Sequence, residues 1–341
     1  MREGKTSADV AQSRTPGPDL HIGLPLVMNL SINGTRVNAT VVEIGTGTAI
    51  KRSDFNISNR LFSLLGSKKR SCESLLQNGR NRSVLQLVRE MGELVYESII
   101  AHLGVEHLFR EGGYRVNIHC EGQAKALPVE IAHYEHFMFE RNLLSLRGRN
   151  DPPADNVSVG RVLILADPSA RYHWAVREGL LLHDFFRSIG ISVSLVSRPL
   201  QKERLFDLFS MYDIVHFTGH AAADQYRTGW DIGTGIFRCS DIIMRKKLPA
   251  LVFSSSCGNT LPMGFDFLRM GARNHVGSRW QIPDVNVCSF VLAFYERLFR
   301  LGDVGLAFHQ SLNGRYRHGD VMPFFFVLQG ELGNRYEKSD T

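Results

Sequence analysis

Apolar and polar positions alternate early in the chain: Leu26, Met28, Leu30 and Ile32 precede Asn33-Gly34, and Val37, Ala39 and Val41 follow it. Period-two alternation on both sides of Asn-Gly predicts a β-hairpin, because that dipeptide tolerates the positive φ of a tight two-residue turn. A mainly polar stretch over 51–82 carries one apolar island at 61–65. Val84, Leu87, Val88, Met91, Leu94 and Val95 then recur at helical spacing behind Ser83, which predicts an amphipathic helix over 83–103. Strand patterns at 114–120 and 127–133 complete a smaller α/β or β-rich region. The segment 150–157, NDPPADNV, reads as a linker, since Pro-Pro beside Asp and Asn stops regular structure.

Behind that linker the pattern changes. Strand candidates fall at 159–166, 191–196, 213–218, 249–254, 274–279 and 324–328, with helical patterns at 174–188, 202–211 and 284–301 between them. Such alternation predicts an α/β fold with a largely parallel sheet of about six strands and helices on both faces. Two of the strand runs end in reactive side chains: DIVHFTGH at His220 and PALVFSSSC at Cys257. Ser240, an N-cap candidate ahead of DIIMRKKL, supplies a crossover helix between them, so the two strands can lie parallel. Parallel neighbours bring their carboxyl ends to one edge, where open α/β sheets build their sites. A thiol and an imidazole placed there would suit nucleophilic catalysis. The imidazole favours the thiolate over a thiol of pKa ~8.5 and can later hand its proton to a leaving amine.

Five strings, VHFTGHA, LVFSSSCGN, GARNHVGSRWQIPD, FYERLFRLGDVGLAFHQS and MPFFFVLQG, resemble in order and spacing the CHAT family of caspase-like cysteine peptidases, relatives of separases and caspases. VLILADP, followed by Ala175 and Glu178, resembles that family's first strand and helix, and LPVEIAHYEHFMFERNLLSLRG resembles the segment that precedes its core. The likeness covers about 116–330. Together with the residue pattern it divides the chain in three: a disordered tail over 1–20, read from its Ser, Thr, Gly and Pro content, an N-terminal β-rich or α+β region over 21–150, and, by the resemblance, a caspase-fold peptidase domain over 151–341.

The resemblance also implies roles. His220 becomes the general acid/base and Cys257 the nucleophile, with the oxyanion held by the backbone N–H groups of Cys257 and Ala221. The family usually carries Gly where this chain has Ala221. After its nucleophile the family has an acidic residue, then Ser or Thr, then Gly; this chain has Gly258, Asn259 and Thr260. Gly277, Ser278, Arg279 and Trp280 are expected beside a bound peptide. Ser255, two residues before the nucleophile on the same strand face, could floor the first pocket. Asp213, Asp224, Asp231 and Asp284 are candidate selectors of a basic residue, Glu178 is expected to make a buried hydrogen bond, and His216 to pack. The implied function is a cysteine endopeptidase that cleaves a protein or peptide substrate under the control of a partner or signal. A catalytically weak adaptor or scaffold of the same fold, or a hydrolase of small thioesters or amides, stays open.

Composition narrows the setting. With 341 residues, 43% hydrophobic and 22% charged, the chain can bury a large core. The net charge of +6 is dispersed except at Lys68, Lys69 and Arg70 and at Arg80 and Arg82, which read as a solvated loop, so direct contact with nucleic acid is not expected. The five cysteines have neither disulfide nor zinc spacing, and no cofactor or metal is expected. The first twenty residues lack an apolar leader core, and no run of eighteen apolar residues occurs. A cytoplasmic location, where a catalytic thiol stays reduced, is the expectation.

Overall fold

The computed structural model describes residues 25–44, 46–148, 154–223, 228–241, 247–280, 287–321 and 324–339. The tail expected at 1–20, the Pro-Pro of the linker and most of the helix signalled after Ser240 lie outside them.

The N-terminal part runs β1 (Pro25–Asn33), β2 (Arg36–Glu43), β3 (Ala49–Asn56), α1 (Leu61–Gln77), α2 (Asn81–Ser98), α3 (His107–Arg110), β4 (Arg115–Gly122), β5 (His133–Tyr134), β6 (His136–Phe137), α4 (Met138–Arg141) and β7 (Leu143–Arg147). The C-terminal part continues with β8 (Asn156–Val159), β9 (Arg161–Ala166), α5 (His173–Ser188), β10 (Ser192–Val196), α6 (Lys202–Phe209), β11 (Ile214–Ala223), β12 (Thr228–Asp231) and β13 (Ile236–Phe237). It closes with β14 (Leu251–Cys257), α7 (Leu261–Arg269), β15 (Asn274–Ser278), α8 (Val287–Leu301), α9 (Val304–Arg317), β16 (Phe326–Gly330) and β17 (Arg335–Lys338).

One sheet runs the length of the molecule in the order β10-β9-β11-β14-β15-β16-β7-β4-β1-β2-β3, with β12 and β13 added beside β11. The six strands expected behind the linker form its C-terminal half, parallel except for the antiparallel β15–β16 pair. Alternating residues of these strands fill two cores. Val162, Ile164, Ile214 and Phe253 pack with Leu182 and Phe186 of α5 and Phe294 and Tyr295 of α8. Leu163, Leu165, Val215, Phe217 and Val252 pack with Leu205 and Phe209 of α6 and Phe267 of α7. Strands buried on both faces can be apolar throughout, which is why these runs read so plainly in the sequence. The sheet crosses residue 150 without a break, through the β16–β7 pair.

In the N-terminal half, the hairpin forms as expected, β1 pairing β2 about Asn33–Arg36, with Leu26, Met28, Leu30 and Ile32 all buried. Three expectations need correction. The charged run at Lys68, Lys69 and Arg70 is helical rather than a loop: α1 buries Leu61, Leu65, Cys72 and Leu76 on one face, and Lys68, in line with them on that face, pairs with Glu90 of α2. That apolar stripe is interrupted at 68–69, so the island at 61–65 looked isolated although it continues one face. Arg82 likewise lies in the first turn of α2. The strand expected at 127–133 is instead a 3-10 turn, Val129–Ile131, preceded by another at Gln123–Ala126 and followed by the two-residue β5, because Pro128 interrupts the ladder donors while Leu127, Val129 and Ile131 are buried anyway. The strand that does pair with β4 is β7, further along.

Candidate active site

The parallel register of β11 on β14 pairs Thr218 with Ser255, Gly219 with Ser256 and His220 with Cys257. Paired residues of neighbouring parallel strands lie about 4.8 Å apart and point to the same face. The His220 imidazole and the Cys257 thiol are therefore lateral neighbours at the carboxyl edge of the sheet, and both are half-buried. The apolar runs before them hold this register. Ile214, Val215, Phe217, Leu251, Val252 and Phe253 are fully buried, and a one-residue slip would turn each to the wrong face.

The other four thiols sit in environments that disfavour the thiolate. Burial pushes Cys72 and Cys120 up to about 12 and Cys239 well above the ordinary thiol range. Cys288 is pushed up to about 11 by burial and by the nearby Glu178 carboxylate. A thiol so shifted is inert at neutral pH.

Around the nucleophile candidate the backbone is braced from β15. The one Ser278 Oγ proton is shared between the carbonyls of Ser256 (3.1 Å) and Gly258, one residue to either side of Cys257. Ser278 N donates to Thr260 Oγ1 at 2.9 Å, and Thr260 N donates back to the Ser278 carbonyl at 2.8 Å. Gly258 has φ of 146°, and a Cβ there would stand 3.2 Å from the Ala221 carbonyl. Glycine thus lets the loop after Cys257 close onto the strand end after His220. Ala221 is itself extended: the described non-glycine residues with positive φ are Glu135, Asp167 and Ala170, so alanine at 221 carries no such strain. It pairs with Trp230 of β12.

The remaining sequence candidates fall in distinct places. Ser255 faces the same side as Cys257 beneath it, is 1% exposed, and its hydroxyl finds no partner, nor does that of Thr218 beside it. The Arg279 guanidinium is committed to Glu130 of the P-x-E segment, Nε to Oε1 at 2.6 Å and Nη2 to Oε2 at 2.9 Å, a bidentate pair with both residues buried. Trp280 is buried and packs edge-on against Phe325 at 5.6 Å. His216, two repeats of the pleat deeper on the face of His220, is fully buried between Glu178 (Nε2 to Oε1, 2.9 Å) and the Tyr295 hydroxyl (3.2 Å). Of the four aspartates, Asp231 ends β12 near the dyad, with Oδ2 3.6 Å from the exposed Arg171 guanidinium. Asp213 sits at the far end of β11, where Oδ2 accepts the backbone N–H groups of Gly160 and Arg161. Asp224 and Asp284 lie outside the described residues.

Two contributors had no clear mark in the sequence. The loop between β9 and α5 lays the Tyr172 ring on that of His220, centroids 5.8 Å apart and planes 24° apart. Thr260 braces Ser278 from the nucleophile loop. Glu130, by contrast, lies in the LPVE string of the segment resembling the one before the family's core, though nothing local points to Arg279 as its partner.

Among the described residues no helix is long and apolar enough to cross a membrane. A family model described as the CHAT domain matches residues 89–318. No curated protein matches the chain. Two crystal structures of the Saccharomyces cerevisiae separase–securin complex are similar in fold. One, at 3.0 Å resolution, has TM-score 0.60 and 10% identity, covering 93% of this chain and 30% of that one. The other, at 2.6 Å, has TM-score 0.53 and 12% identity, covering 93% and 31%. The chain thus spans less than a third of the length of these neighbours.

Proposed function

The chain belongs to the CHAT domain family, and from that membership and the pairing of His220 with Cys257 we propose that it is a cysteine endopeptidase acting on a protein or peptide substrate. The observation that carries the reading is the strand register, which makes a half-buried thiol and an imidazole lateral neighbours at the edge where such sheets build sites.

Cys257 as thiolate attacks the scissile carbonyl carbon, and the electron pair moves to the carbonyl oxygen. The backbone N–H groups of Cys257 and Ala221 receive that oxyanion. The intermediate collapses with cleavage of the C–N bond while His220, as imidazolium, gives its proton to the departing amine, leaving a thioester on Cys257. Water then attacks the thioester, His220 takes its proton, and loss of the acid product restores thiolate and imidazolium. The role of Ser278 in this scheme is to hold the carbonyls on both sides of Cys257, so that its amide stays aimed. Ser255 supports the site from beneath Cys257, Arg279 serves the substrate through the strand it anchors, since its side chain is engaged by Glu130, and Trp280, buried against Phe325, through its main chain. Control by a protein partner or signal completes the proposal.

A thiol-directed peptide probe tests it. Labelling confined to Cys257, lost in Cys257→Ala and slowed on the order of 10²- to 10⁴-fold in His220→Ala, is the expected result. Cleavage surviving in a folded Cys257→Ala chain refutes the mechanism.

A further inference from the structure

We propose that Tyr172 is a positioning residue for His220, held against the imidazole by a strained loop built on the buried carboxylate of Asp167. The inference rests on the Cys257–His220 reading and deepens it.

Three observations converge on this loop. The first is strain. Of the three described non-glycine residues with positive φ, two, Asp167 (45°) and Ala170 (56°), fall within the short connection from β9 to α5. Left-handed backbone at a residue with a Cβ is disfavoured by its crowding against the carbonyl, so two such residues in one connection must be held by their surroundings. The second is what holds them. Asp167 is 1% exposed; its N–H donates to the Thr218 carbonyl at 2.8 Å, tying the loop to the strand two residues before His220. Its carboxylate accepts the Ser169 hydroxyl at 2.7 Å and the backbone N–H of Tyr172. The Ala170 N–H closes the turn on the Asp167 carbonyl at 2.9 Å. The third is the product of this arrangement, the Tyr172 ring stacked on His220. A buried carboxylate that fixes the amide of Tyr172 thereby fixes where its ring begins.

Among the described residues, several groups are placed about the imidazole. Tyr172 comes from the entry to α5 and Cys257 from β14. Asp167 lies behind Gly219, where a Cβ would come within 3.5 Å of its Cα, and the Arg171–Asp231 pair lies beside Tyr172 in the chain and at the end of β12. An aromatic face over an imidazolium favours the charged ring by electrostatic attraction to the π-cloud, and it blocks the ring from rotating away from the thiol. Both effects favour the thiolate–imidazolium pair over the neutral thiol and imidazole.

The test needs no known substrate. The rate of Cys257 alkylation by iodoacetamide, followed by mass spectrometry from pH 5 to 10, reads the thiolate population directly. Tyr172→Leu should slow alkylation about two- to fivefold near pH 7, the size of one exposed cation–π contact, while leaving the rate near pH 10 unchanged, because there the thiolate forms without imidazolium. Tyr172→Phe keeps the ring and should restore the parent profile. Asp167→Asn, which removes the charge but keeps the size, should shift the profile in the same direction as Tyr172→Leu, and it stands in should the leucine variant fail to fold. An unchanged profile in the leucine variant, a loss equal at every pH, or a phenylalanine variant as slow as leucine would each overturn the role. If Cys257 of the parent chain is no more reactive near neutrality than an ordinary thiol, the dyad itself is refuted rather than its positioning.

Discussion

Removing the charge of Glu130 is the perturbation that speaks most directly to how the site is built. Glu130 and Arg279 are 8% and 5% exposed, and the carboxylate takes two short guanidinium bonds, at 2.6 and 2.9 Å. Desolvating two ions costs several kcal/mol each, and close bidentate contact offsets this only while both partners remain. Glu130→Gln leaves the guanidinium buried with an amide and the Lys125 carbonyl, a marginal contact at 3.5 Å. An uncompensated buried charge of this kind costs about 3–5 kcal/mol, or roughly 4–7 °C in melting temperature for a chain of this size. Glu130→Leu combined with Arg279→Met removes both charges and should recover most of the loss, so the coupling energy in a double-mutant cycle should exceed about 2 kcal/mol. Denaturant midpoints of the parent, Glu130→Leu, Arg279→Met and the double variant measure the coupling, and that of Glu130→Gln the loss. Because Arg279 directly follows Ser278, which braces the carbonyls beside Cys257, the single variants should also label more slowly at Cys257. Additive single effects, or a Glu130→Gln loss under about 1 kcal/mol, would refute the reasoning and mean that the pair is hydrated.

Two further outcomes follow from the same packing. His275 is fully buried between Gln329 Oε1 (2.8 Å) and Ser254 Oγ (2.9 Å), and burial pushes it down to about 4. The unfolded chain takes up that proton near pH 6.5 and the folded one only near pH 4, so this group's stabilisation is full above pH 6.5 and is lost as pH falls through that window, roughly 2–3 kcal/mol by pH 4.5. Denaturant midpoints at pH 7 and 4.5 should show the loss, and His275→Gln should shrink it; an equal drop in the variant rules His275 out as its source. A Cβ on Gly277 would stand 2.3 Å from His275 Cε1 and 2.5 Å from Thr260 Oγ1, so Gly277→Ala should cost about 1–3 kcal/mol in overpacking and slow labelling of Cys257 by displacing the Thr260–Ser278 brace. A variant with parent-like melting and labelling would show that the strand shifts freely.

How much of this was legible beforehand depends on where the information lies. Most of the six C-terminal strands stand out because they carry short apolar runs, such as Val162–Ala166 and Leu251–Phe253, although β15 reads Asn-His-Val-Gly-Ser, and their order along the chain sufficed to bring His220 and Cys257 to one edge. The hairpin was equally plain, since Asn-Gly and period-two alternation are local properties. Helix α1 was not, because charged residues interrupt its apolar stripe and only the neighbouring α2, with Glu90 opposite Lys68, makes the helical face coherent. The 127–133 segment was misread because burial, not β-pairing, selects Leu127, Val129 and Ile131.

By itself, then, the amino-acid order determined the strand-and-helix alternation, the two reactive side chains at strand ends and the likeness that joins them, because hydrophobic period and turn chemistry act over a few residues. Tertiary structure alone decided that Arg279 is engaged by Glu130, that Ser278 braces the nucleophile loop, and that Tyr172 lies on His220. Those contacts join residues far apart in the chain, and no local pattern encodes a partner that only the folded sheet brings within hydrogen-bonding or stacking distance.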